Sequence, residues 1–573
     1  MKKYFVLILF VLALGQVFGQ RLRHKEVLGR PTSTSILVQT FFDDAAEVRV
    51  QYGTTSGSLT SQTGWQTFAA GAPADVNLTG LSPNTTYYYR VTYRMLGGTT
   101  VTNRPQYSFT TPRSLGTDFT FIVQADPHLD SQSDTALYRI CLNNQAADKP
   151  DFMIDMGDFL MTDKLKNLTT NQIPRDTIVY RSHLLRSYYE TVCHSAPLYL
   201  VMGNHEGEAG WYNTGTTGSN IAVWNTLERK KYFPNPFPNT FYKGDTTNYP
   251  FVGQRASYYA WEWGDALFVV LDPYWFTQTK PDSLNGWRWT LGKTQYDWLK
   301  KTLEQNNSKF KFVFCHQLVG GDPDGRGGIE YANRYEWGGD NLNGTPGFAA
   351  NRPGWYKPIK DLLTENKVNI FFHGHDHFFG KQEKDCLIYQ ELPQPSHPVF
   401  SNANQAAAYG YFQGQILPNS GHVRIKVSAT TGVKLEYVRA YLPQSETTTR
   451  RNRDVSATYY IGVTNCYNNL STSAPVLWNS DYTDELVYPN PFGNETKIEF
   501  SLFEPEVLSL SIYDERGHLV RSLLDKSEVP SGRFQIVWEG KDVHGNELPS
   551  GAYFYSIKGD KGTKKQGKLW LMK

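Results

Sequence analysis

The sequence predicts a central α/β domain with an all-β domain on each side. Residues 25–112 and 485–573 contain strands of alternating apolar and polar residues separated by turn residues. Between them, short apolar strands alternate with helical patterns, which is typical of layered α/β domains. A chain of 573 residues is also too long for a single hydrophobic core. We therefore place the α/β domain at 115–442 and a connector at 443–484.

The composition restricts the possible partners. The formal net charge is only +2, so no basic excess indicates binding to nucleic acid.

The five cysteines are scattered and odd in number, so neither a disulfide framework nor a CxxC metal site is expected. After the first residues, no stretch is apolar enough to span a membrane.

Residues 1–19 have the features of a cleaved signal peptide. Lys2 and Lys3 precede an apolar run at 4–14, and a small residue, Gly19, ends the segment, so Gln20 is the expected mature start. An anchoring helix is the alternative, but the run is shorter than the roughly 20 residues that a bilayer requires. We expect an exported protein.

The first all-β domain, at 25–112, has a distinctive turn. Leu81-Ser82-Pro83 precedes a long strand that contains Tyr87. This pattern resembles the fibronectin type III domain, in which such a tyrosine closes a tyrosine corner with its hydroxyl group. The resemblance implies either a binding module or a spacer that positions the next domain, and we favour the spacer.

Five fragments rich in metal-ligand side chains each follow an apolar strand of the α/β domain. They are Asp126-Pro127-His128, Gly157-Asp158, Gly203-Asn204-His205-Glu206, Cys315-His316 and Gly374-His375-Asp376-His377. Open α/β sheets place their sites at the carboxyl ends of strands. Carboxylate, imidazole and amide oxygen are ligands for hard or borderline metals. We therefore expect the fragments to converge on a metal centre.

The spacing within the fragments indicates how ions would be held. Two adjacent cations repel each other, so an anionic bridge is needed. Asp158 is suited to this role because the preceding glycine allows a tight turn at the strand end. Asp126 and His128 would share one face of an extended segment, and His375 and His377 have the same spacing. Asp376 would then point away from the site and have no catalytic role.

The ordered set of D-x-H, GD, GNHE, a strand-end histidine and GHDH resembles the signature of the calcineurin-like metallophosphoesterases. The resemblance covers about 115–440 and implies a two-sheet α/β sandwich with two divalent or trivalent metal ions, of which Mn, Fe or Zn are most plausible. It implies one metal site formed by Asp126, His128, Asp158 and His377. It implies a second site formed by Asp158, Asn204, His316 and His375. A hydroxide that bridges the ions would be the nucleophile.

Two further residues of the GNHE fragment have expected catalytic roles. His205 is not a ligand in this scheme, so it should face the phosphoryl oxygens or the leaving group and stabilise charge or donate a proton. Glu206 is the expected partner that orients His205.

Two segments, 206–262 and 317–355, are rich in aromatic residues and glycine and lack clear periodicity. We interpret them as loops that form the walls of a substrate cleft. Arg326, in a glycine-rich stretch, could reach a substrate phosphate, although such a loop is commonly only solvated. Further candidates for the cleft wall are Glu330, Tyr331 and Trp337.

The fibronectin-like domain ahead of this domain also resembles the arrangement of purple acid phosphatases. Those enzymes have a tyrosine ligand three residues after the bridging aspartate, where this chain has Met161, and they lack the histidine found here as His128. We therefore expect neither the tyrosinate colour nor a mandatory ferric ion. The site is closer to the phosphodiesterase and generic phosphoesterase type.

The C-terminal all-β domain contains three motifs in order. They are Tyr488-Pro489-Asn490-Pro491-Phe492, Ile512-Tyr513-Asp514 with Gly517, and Leu548-Pro549-Ser550-Gly551-Ala552-Tyr553-Phe554-Tyr555. They resemble the C-terminal sorting domain of the type IX secretion system of Bacteroidetes. The resemblance implies export through the periplasm to the cell surface or medium, with the secretion machinery as a partner. The alternative is a second binding sandwich.

These features predict a secreted metal-dependent phosphoric ester hydrolase, a phosphatase or a phosphodiesterase, that acts on a phosphate-ester substrate. The alternative is a surface binding protein with an inactive phosphoesterase scaffold. Such a scaffold has no need of every ligand position and of His205, so we favour the enzyme. The sequence leaves the choice between phosphomonoesters and phosphodiesters open.

Overall fold

The computed structural model describes residues 22–573, apart from 168–171, 283–284, 323–324, 449, 463–484, 503–505, 530–531 and 561–563. The expected signal peptide at 1–19, the mature start at Gln20 and Cys466 therefore lie outside the described residues. Within the described part, no helix has the length and hydrophobicity that a membrane span requires.

The N-terminal domain is a β-sandwich. Its strands are β1 (Leu22–Thr32), β2 (Ser35–Phe42), β3 (Ala46–Gly53), β4 (Ser61–Gln62), β5 (Gln66–Phe68), β6 (Pro73–Thr79), β7 (Thr86–Met95), β8 (Thr102–Asn103) and β9 (Tyr107–Thr110). One sheet has the order β1-β2-β6 and the other β4-β3-β7-β8. Tyr87 accepts a hydrogen bond from the amide of Ser82 at 2.9 Å, as the tyrosine corner requires. Assignment to the fibronectin type III family stays a prediction.

The central domain alternates strands and helices. Its strands are β10 (Phe119–Gln124), β11 (Phe152–Asp155), β12 (Leu198–Leu200), β13 (Lys243–Gly244), β14 (Tyr259–Trp263), β15 (Ala266–Val270), β16 (Phe310–Phe314), β17 (Ile370–His373), β18 (Phe379–Lys384), β19 (Leu387–Glu391), β20 (Gln415–Leu417), β21 (Gly421–Ser428), β22 (Gly432–Arg439) and β23 (Val455–Ile461). Its helices are α1 (Thr135–Ala147), α2 (Arg175–Cys193), α3 (Ile221–Tyr232), α4 (Lys293–Glu304), α5 (Tyr335–Gly338), α6 (Phe348–Asn351) and α7 (Ile359–Glu365).

These strands form two sheets that pack face to face. The first has the order β12-β11-β10-β21-β22-β23, and the second β13-β14-β15-β16-β17-β19-β18-β20. Aromatic side chains fill the space between them, and Phe121 of the first sheet meets Phe268 of the second edge to face at 5.1 Å. Helices α1, α2, α4 and α7 cover the outer faces. Strands buried on both sides read as continuous apolar runs, which predicted a layered α/β domain. The two-sheet sandwich that the family resemblance implied is confirmed.

Two segments differ from the sequence-based expectation. The predicted loop at 206–262 contains helix α3, and residues of the predicted connector form β23, which pairs with β22. The periodicity of α3 is hidden because its buried face is partly polar: Arg229 binds Glu208, which also binds Arg255. A buried ion network of this kind replaces the apolar stripe by which such a helix is normally recognised.

The N-terminal domain docks against helix α2. Arg186 of α2 is fully buried and donates to the side chain and the carbonyl group of Gln39 in β2. The hydroxyl group of Tyr89 donates to the carbonyl group of His194 at 2.7 Å, just beyond the end of α2. These contacts fit a spacer that holds the central domain in place, which is the interpretation favoured from the sequence.

We expect mild acid to weaken this junction. His24 Nε2 lies 2.6 Å from His183 Nδ1, and burial lowers the pKa of His183 from 6.5 to about 4. Between these two values the unfolded chain binds the extra proton and the folded chain does not, so the free energy of unfolding falls as the pH decreases through this window. Urea unfolding across the window should show a flatter pH dependence for His183→Gln. The exposed His518→Gln is the control, and an unchanged slope in the His183 variant would contradict the expectation.

The C-terminal domain is a second β-sandwich. Its strands are β24 (Glu485–Tyr488), β25 (Thr496–Leu502), β26 (Glu506–Tyr513), β27 (Leu519–Val529), β28 (Gly532–Trp538), β29 (Gly551–Gly559) and β30 (Lys564–Leu571). The sheet orders are β24-β25-β28 and β27-β26-β29-β30. Phe492 packs against Trp538 in the core with ring centres 5.4 Å apart. The last residue of the YPNPF motif is therefore part of the domain core.

Candidate metal centre

The five sequence fragments converge at one edge of the central domain. The fragments at 126–128, 158 and 204–206 follow β10, β11 and β12 of the first sheet, whereas those at 316 and 375–377 follow β16 and β17 of the second. Both sheets therefore contribute ligand-type side chains to the same place. The structure assembles two groups there, Asp126 with His128 and His377, and Asp158 with His316 and His375, and the ligand atoms within each group lie within 4.8 Å of one another.

Asp158 lies between the two groups. Its Oδ2 is 3.2 Å from His316 Nε2 and 3.8 Å from His128 Nε2. Asn204 joins on the side of His316, with its Oδ1 3.1 Å from His316 Nε2. This arrangement matches the role of a carboxylate that bridges two cations, with Asn204 as an additional ligand for one of them.

The donor set fits cations because several of its buried atoms make no hydrogen bond to the described residues. Asp126 Oδ1, His128 Nε2 and Asp158 Oδ2 are buried and have no hydrogen-bond partner among the described residues. Unpaired buried polar atoms of this kind are costly, so they are rare without a ligand. Two cations bound between these atoms would satisfy all three.

The carboxyl and imidazole groups of the centre shift one another's pKa strongly. Burial opposes ionisation of Asp126 and Asp158, but the neighbouring histidines outweigh it and hold the pKa of both carboxyl groups well below the ordinary value. Burial lowers the pKa of His375 and His377, so both imidazoles are neutral. Burial also acts on His316, but Asp158 and Asp126 outweigh it and raise its pKa to about 10, so metal binding there would release a proton.

The backbone at the ligands differs from the extended conformation expected from the sequence. Positive φ angles occur at Asp126 (57°), His128 (47°), Asp158 (58°), His375 (77°) and His377 (66°). Such angles are rare for residues other than glycine and cluster at functional sites. In this conformation His375 and His377 join different ligand groups and do not chelate one ion. The shared face inferred from the spacing of an extended segment is therefore wrong, whereas the division of the two histidines between two sites, which the family resemblance implied, matches the two groups in the structure.

Outer contacts fix the orientation of the imidazole ligands. His316 Nδ1 lies 2.8 Å from the carbonyl oxygen of Met156, and His128 Nδ1 lies 3.3 Å from Asp130 Oδ2. Each contact leaves Nε2 directed at the centre, which is the usual arrangement for metal-binding histidines. Asp130 thus supports His128 from outside the centre.

Glu206 does not orient His205, which corrects the sequence-based expectation. Its fully buried carboxylate instead accepts hydrogen bonds from backbone amides that surround the bridging aspartate. The donors are Asp158 (3.0 Å), Phe159 (2.8 Å), Leu160 (3.2 Å) and Gly203 (2.5 Å). Burial and the charge of Asp158 raise the pKa of Glu206 to about 8. Glu206 therefore shapes the loops that carry Asp158 and Asn204.

We expect Glu206→Ala to destabilise the fold. The change leaves several buried amides without an acceptor, and each costs about 1–3 kcal/mol, so the free energy of unfolding should fall by about 3 kcal/mol or more. Chemical denaturation in the presence of a chelator would measure this without a contribution from bound metal. Glu304→Ala, on the exposed face of α4, is the control and should change stability by less than about 0.5 kcal/mol. Equal stability of the two variants would refute this role.

Asp163, and not Glu206, is the carboxylate that contacts and orients His205. Its Oδ1 lies 2.9 Å from His205 Nδ1, and Tyr212 donates to its Oδ2 at 3.4 Å. On the other side of the ring, His205 Nε2 is 4.0 Å from Asp158 Oδ2, so it faces the centre. Sequence reasoning missed Asp163 because it lies in a separate loop, five residues after the bridging aspartate, and belongs to no quoted motif.

Glu391 is a second buried carboxylate that the sequence did not reveal. It accepts hydrogen bonds from the amides of Asp376 (3.1 Å) and His377 (3.2 Å), and it lies 2.8 Å from His373 Nδ1. Burial raises its pKa well above the ordinary value. Glu391 therefore supports the GHDH turn as Glu206 supports the GD turn.

The remaining cleft-wall candidates lie in different environments. Trp337 is fully buried, packs against Phe371 with ring centres 4.4 Å apart and donates to the hydroxyl group of Tyr389. It therefore belongs to the core, and the cleft-wall assignment is wrong. Glu330 accepts hydrogen bonds from the amides of the loop at 412–413 and holds that loop. Tyr331 is partly exposed.

Comparisons with known proteins agree with this geometry. Residues 119–379 match the model of a family described as calcineurin-like phosphoesterase, and residues 490–563 match the FlgD Ig-like domain. Among solved structures, the chain is similar to a structure of PhoD, with a TM-score of 0.54, 15% identity, and coverage of 78% of this chain and 91% of that chain. This likeness supports the fold.

The chain is also similar to a solved structure of purple acid phosphatase PPD1 from yellow lupin (Lupinus luteus) seeds. The TM-score is 0.49 with 15% identity, and the match covers 76% of this chain and 74% of that chain. No curated protein matches the chain.

Proposed function

We propose that this metal-dependent phosphoester hydrolase, whose residues 119–379 form a calcineurin-like phosphoesterase domain, is an exported enzyme that cleaves phosphomonoesters or phosphodiesters at a two-metal centre. One ion would be held by Asp126, His128, Asp158 and His377. The other would be held by Asp158, Asn204, His316 and His375. The observation that carries the proposal is the buried Oδ2 of Asp158, which makes no hydrogen bond to the described residues and lies between two groups of imidazole ligands.

The chain's own residues have distinct tasks in this reaction. Bound metal ions supply Lewis acidity, and they activate water at neutral pH. His205 presents Nε2 to the centre and can pass a proton from this atom to the leaving oxygen. Asp163 Oδ1, 2.9 Å from His205 Nδ1, orients the imidazole ring for this role. Glu206 and Glu391 keep the ligand turns in position.

Hydrolysis assays would test the proposal. Purified protein should contain metal and hydrolyse p-nitrophenyl phosphate or bis-p-nitrophenyl phosphate when Mn is added, and a chelator should abolish the reaction. Elemental analysis of the same preparation would identify the bound metals. Absence of both metal and activity towards either ester would refute the two-metal enzyme.

Export is the second part of the proposal. The apolar run at 4–14 behind Lys2 and Lys3, and the three ordered motifs after residue 485, support it. The machinery proposed as a partner is the type IX secretion system. Mass spectrometry of the protein recovered from the medium or cell surface of a type IX-competent bacterium should give Gln20 as the first residue. Retention of the full chain inside the cell would contradict export.

A further inference from the structure

Arg326 lies beside the metal centre, on the loop between β16 and α5. Its Nη1 donates hydrogen bonds to the carbonyl oxygen of His375 and to Asp376 Oδ1, both at 2.9 Å. The guanidinium group stacks over the ring of Tyr409 at 4.2 Å. Contacts on two sides therefore place the cation next to a proposed metal ligand.

Asp376 explains how this position is maintained. It had no expected role, but its buried carboxylate accepts hydrogen bonds from Arg326, from the amide of Gly327 at 2.9 Å and from the hydroxyl group of Tyr411 at 2.7 Å. Because Asp376 lies between His375 and His377, Arg326 is attached directly to the turn that serves both ligand groups. A shift of this turn would carry the guanidinium group with it.

Part of the guanidinium group has no hydrogen-bond partner among the described residues. Nε and Nη2 make no hydrogen bond with the described residues, and 28% of the side chain is exposed. Burial is the main cause of the lowered pKa of His375 and His377, and the positive charge of Arg326 lowers the pKa of both further. The charge of Arg326 therefore reaches the proposed ligands. Planar N–H donors next to two proposed cation sites are suited to bind phosphate oxygens.

We propose that Arg326 binds the phosphoryl group of the substrate and makes dianionic phosphomonoesters the preferred substrates of this centre. The inference rests on the proposed two-metal function. A phosphomonoester has a second negative charge that a phosphodiester lacks, so removal of one cation weakens binding of the monoester more. Arg326 thus decides between the two substrate classes that the ligand set alone leaves open.

The test compares two substrates and one inhibitor in matched variants. In Arg326→Gln and Arg326→Lys, kcat/KM for p-nitrophenyl phosphate and the inhibitory affinity of inorganic phosphate should each fall about tenfold to a hundredfold, the Gln variant falling further. The kcat/KM for bis-p-nitrophenyl phosphate should change less than about threefold. Wild-type enzyme should prefer the monoester. Arg334→Gln is the control, because Arg334 stacks on Tyr331 at 4.2 Å in the same way.

Each contrary result has a definite meaning. Equal losses for both esters, or an unchanged affinity for phosphate, would overturn the role of Arg326 in substrate choice. Loss of metal from both Arg326 variants, measured by elemental analysis, would overturn it too, because the residue would then support the ligand turn. An inactive, metal-free wild-type protein would instead refute the proposed function itself.

Discussion

Asp158→Asn should abolish phosphoesterase activity and empty both metal sites. The carboxylate lies between the two ligand groups and is held ionised by the histidines around it. Asparagine has nearly the same shape but cannot neutralise two adjacent cations. Bound metals supply several kcal/mol of transition-state stabilisation, so kcat/KM should fall about a thousandfold or more. Elemental analysis and ester hydrolysis would measure the two effects together.

Asp130→Asn is the matched control for this experiment. Asp130 touches the centre through the outer nitrogen of His128 and belongs to neither ligand group, so its loss should reduce metal affinity or activity by only about tenfold to a hundredfold. If Asp158→Asn kept both metals and most of the activity, the bridge would have to be assigned elsewhere.

His205→Ala should keep the metals and lose rate. His205 faces the centre but belongs to neither ligand group, and general acid catalysis contributes about 100- to 10,000-fold. The loss should be largest for alkyl phosphates, whose leaving oxygen needs a proton. It should be small for p-nitrophenyl phosphate, because nitrophenolate leaves without one. Single-turnover rates over a series of leaving groups, with metal content measured alongside, would test this.

Asp163→Asn provides an internal check on that assignment. It should reproduce the same dependence on the leaving group with a smaller loss, because the imidazole remains but its orientation and charge are less well supported. An equal loss for every leaving group, or loss of metal from His205→Ala, would show that His205 has another role.

The α/β sandwich could be predicted because its strands are buried on both faces. Apolar runs such as 119–123 and 310–314 are visible without any knowledge of tertiary structure. Helix α3 could not be found in this way, because its buried face includes Arg229, which is paired with Glu208 from outside the helix. An ion pair formed across the fold leaves no periodic signal in the sequence.

The ligand residues were visible for a related reason. Each ligand residue follows its strand within a few residues. The local sequence therefore shows both where the ligand lies in the sheet and which metal-binding group it offers. The supporting residues are different: Asp163 and Glu391 reach the centre only through the fold, and Arg326 meets Asp376 fifty residues further along the chain. Positive φ angles at the ligands also depend on these long-range contacts, which explains why an extended backbone was expected.

The centre draws on both sheets, and this affects more than catalysis. Asp158 extends from the first sheet and His316 from the second, while His377 of the second sheet joins Asp126 of the first. Ions bound there would tie the two layers together at their open edge. Binding to the folded state alone stabilises a protein in proportion to the logarithm of ligand concentration. The supply of metal would therefore set how long this enzyme survives as well as how fast it works.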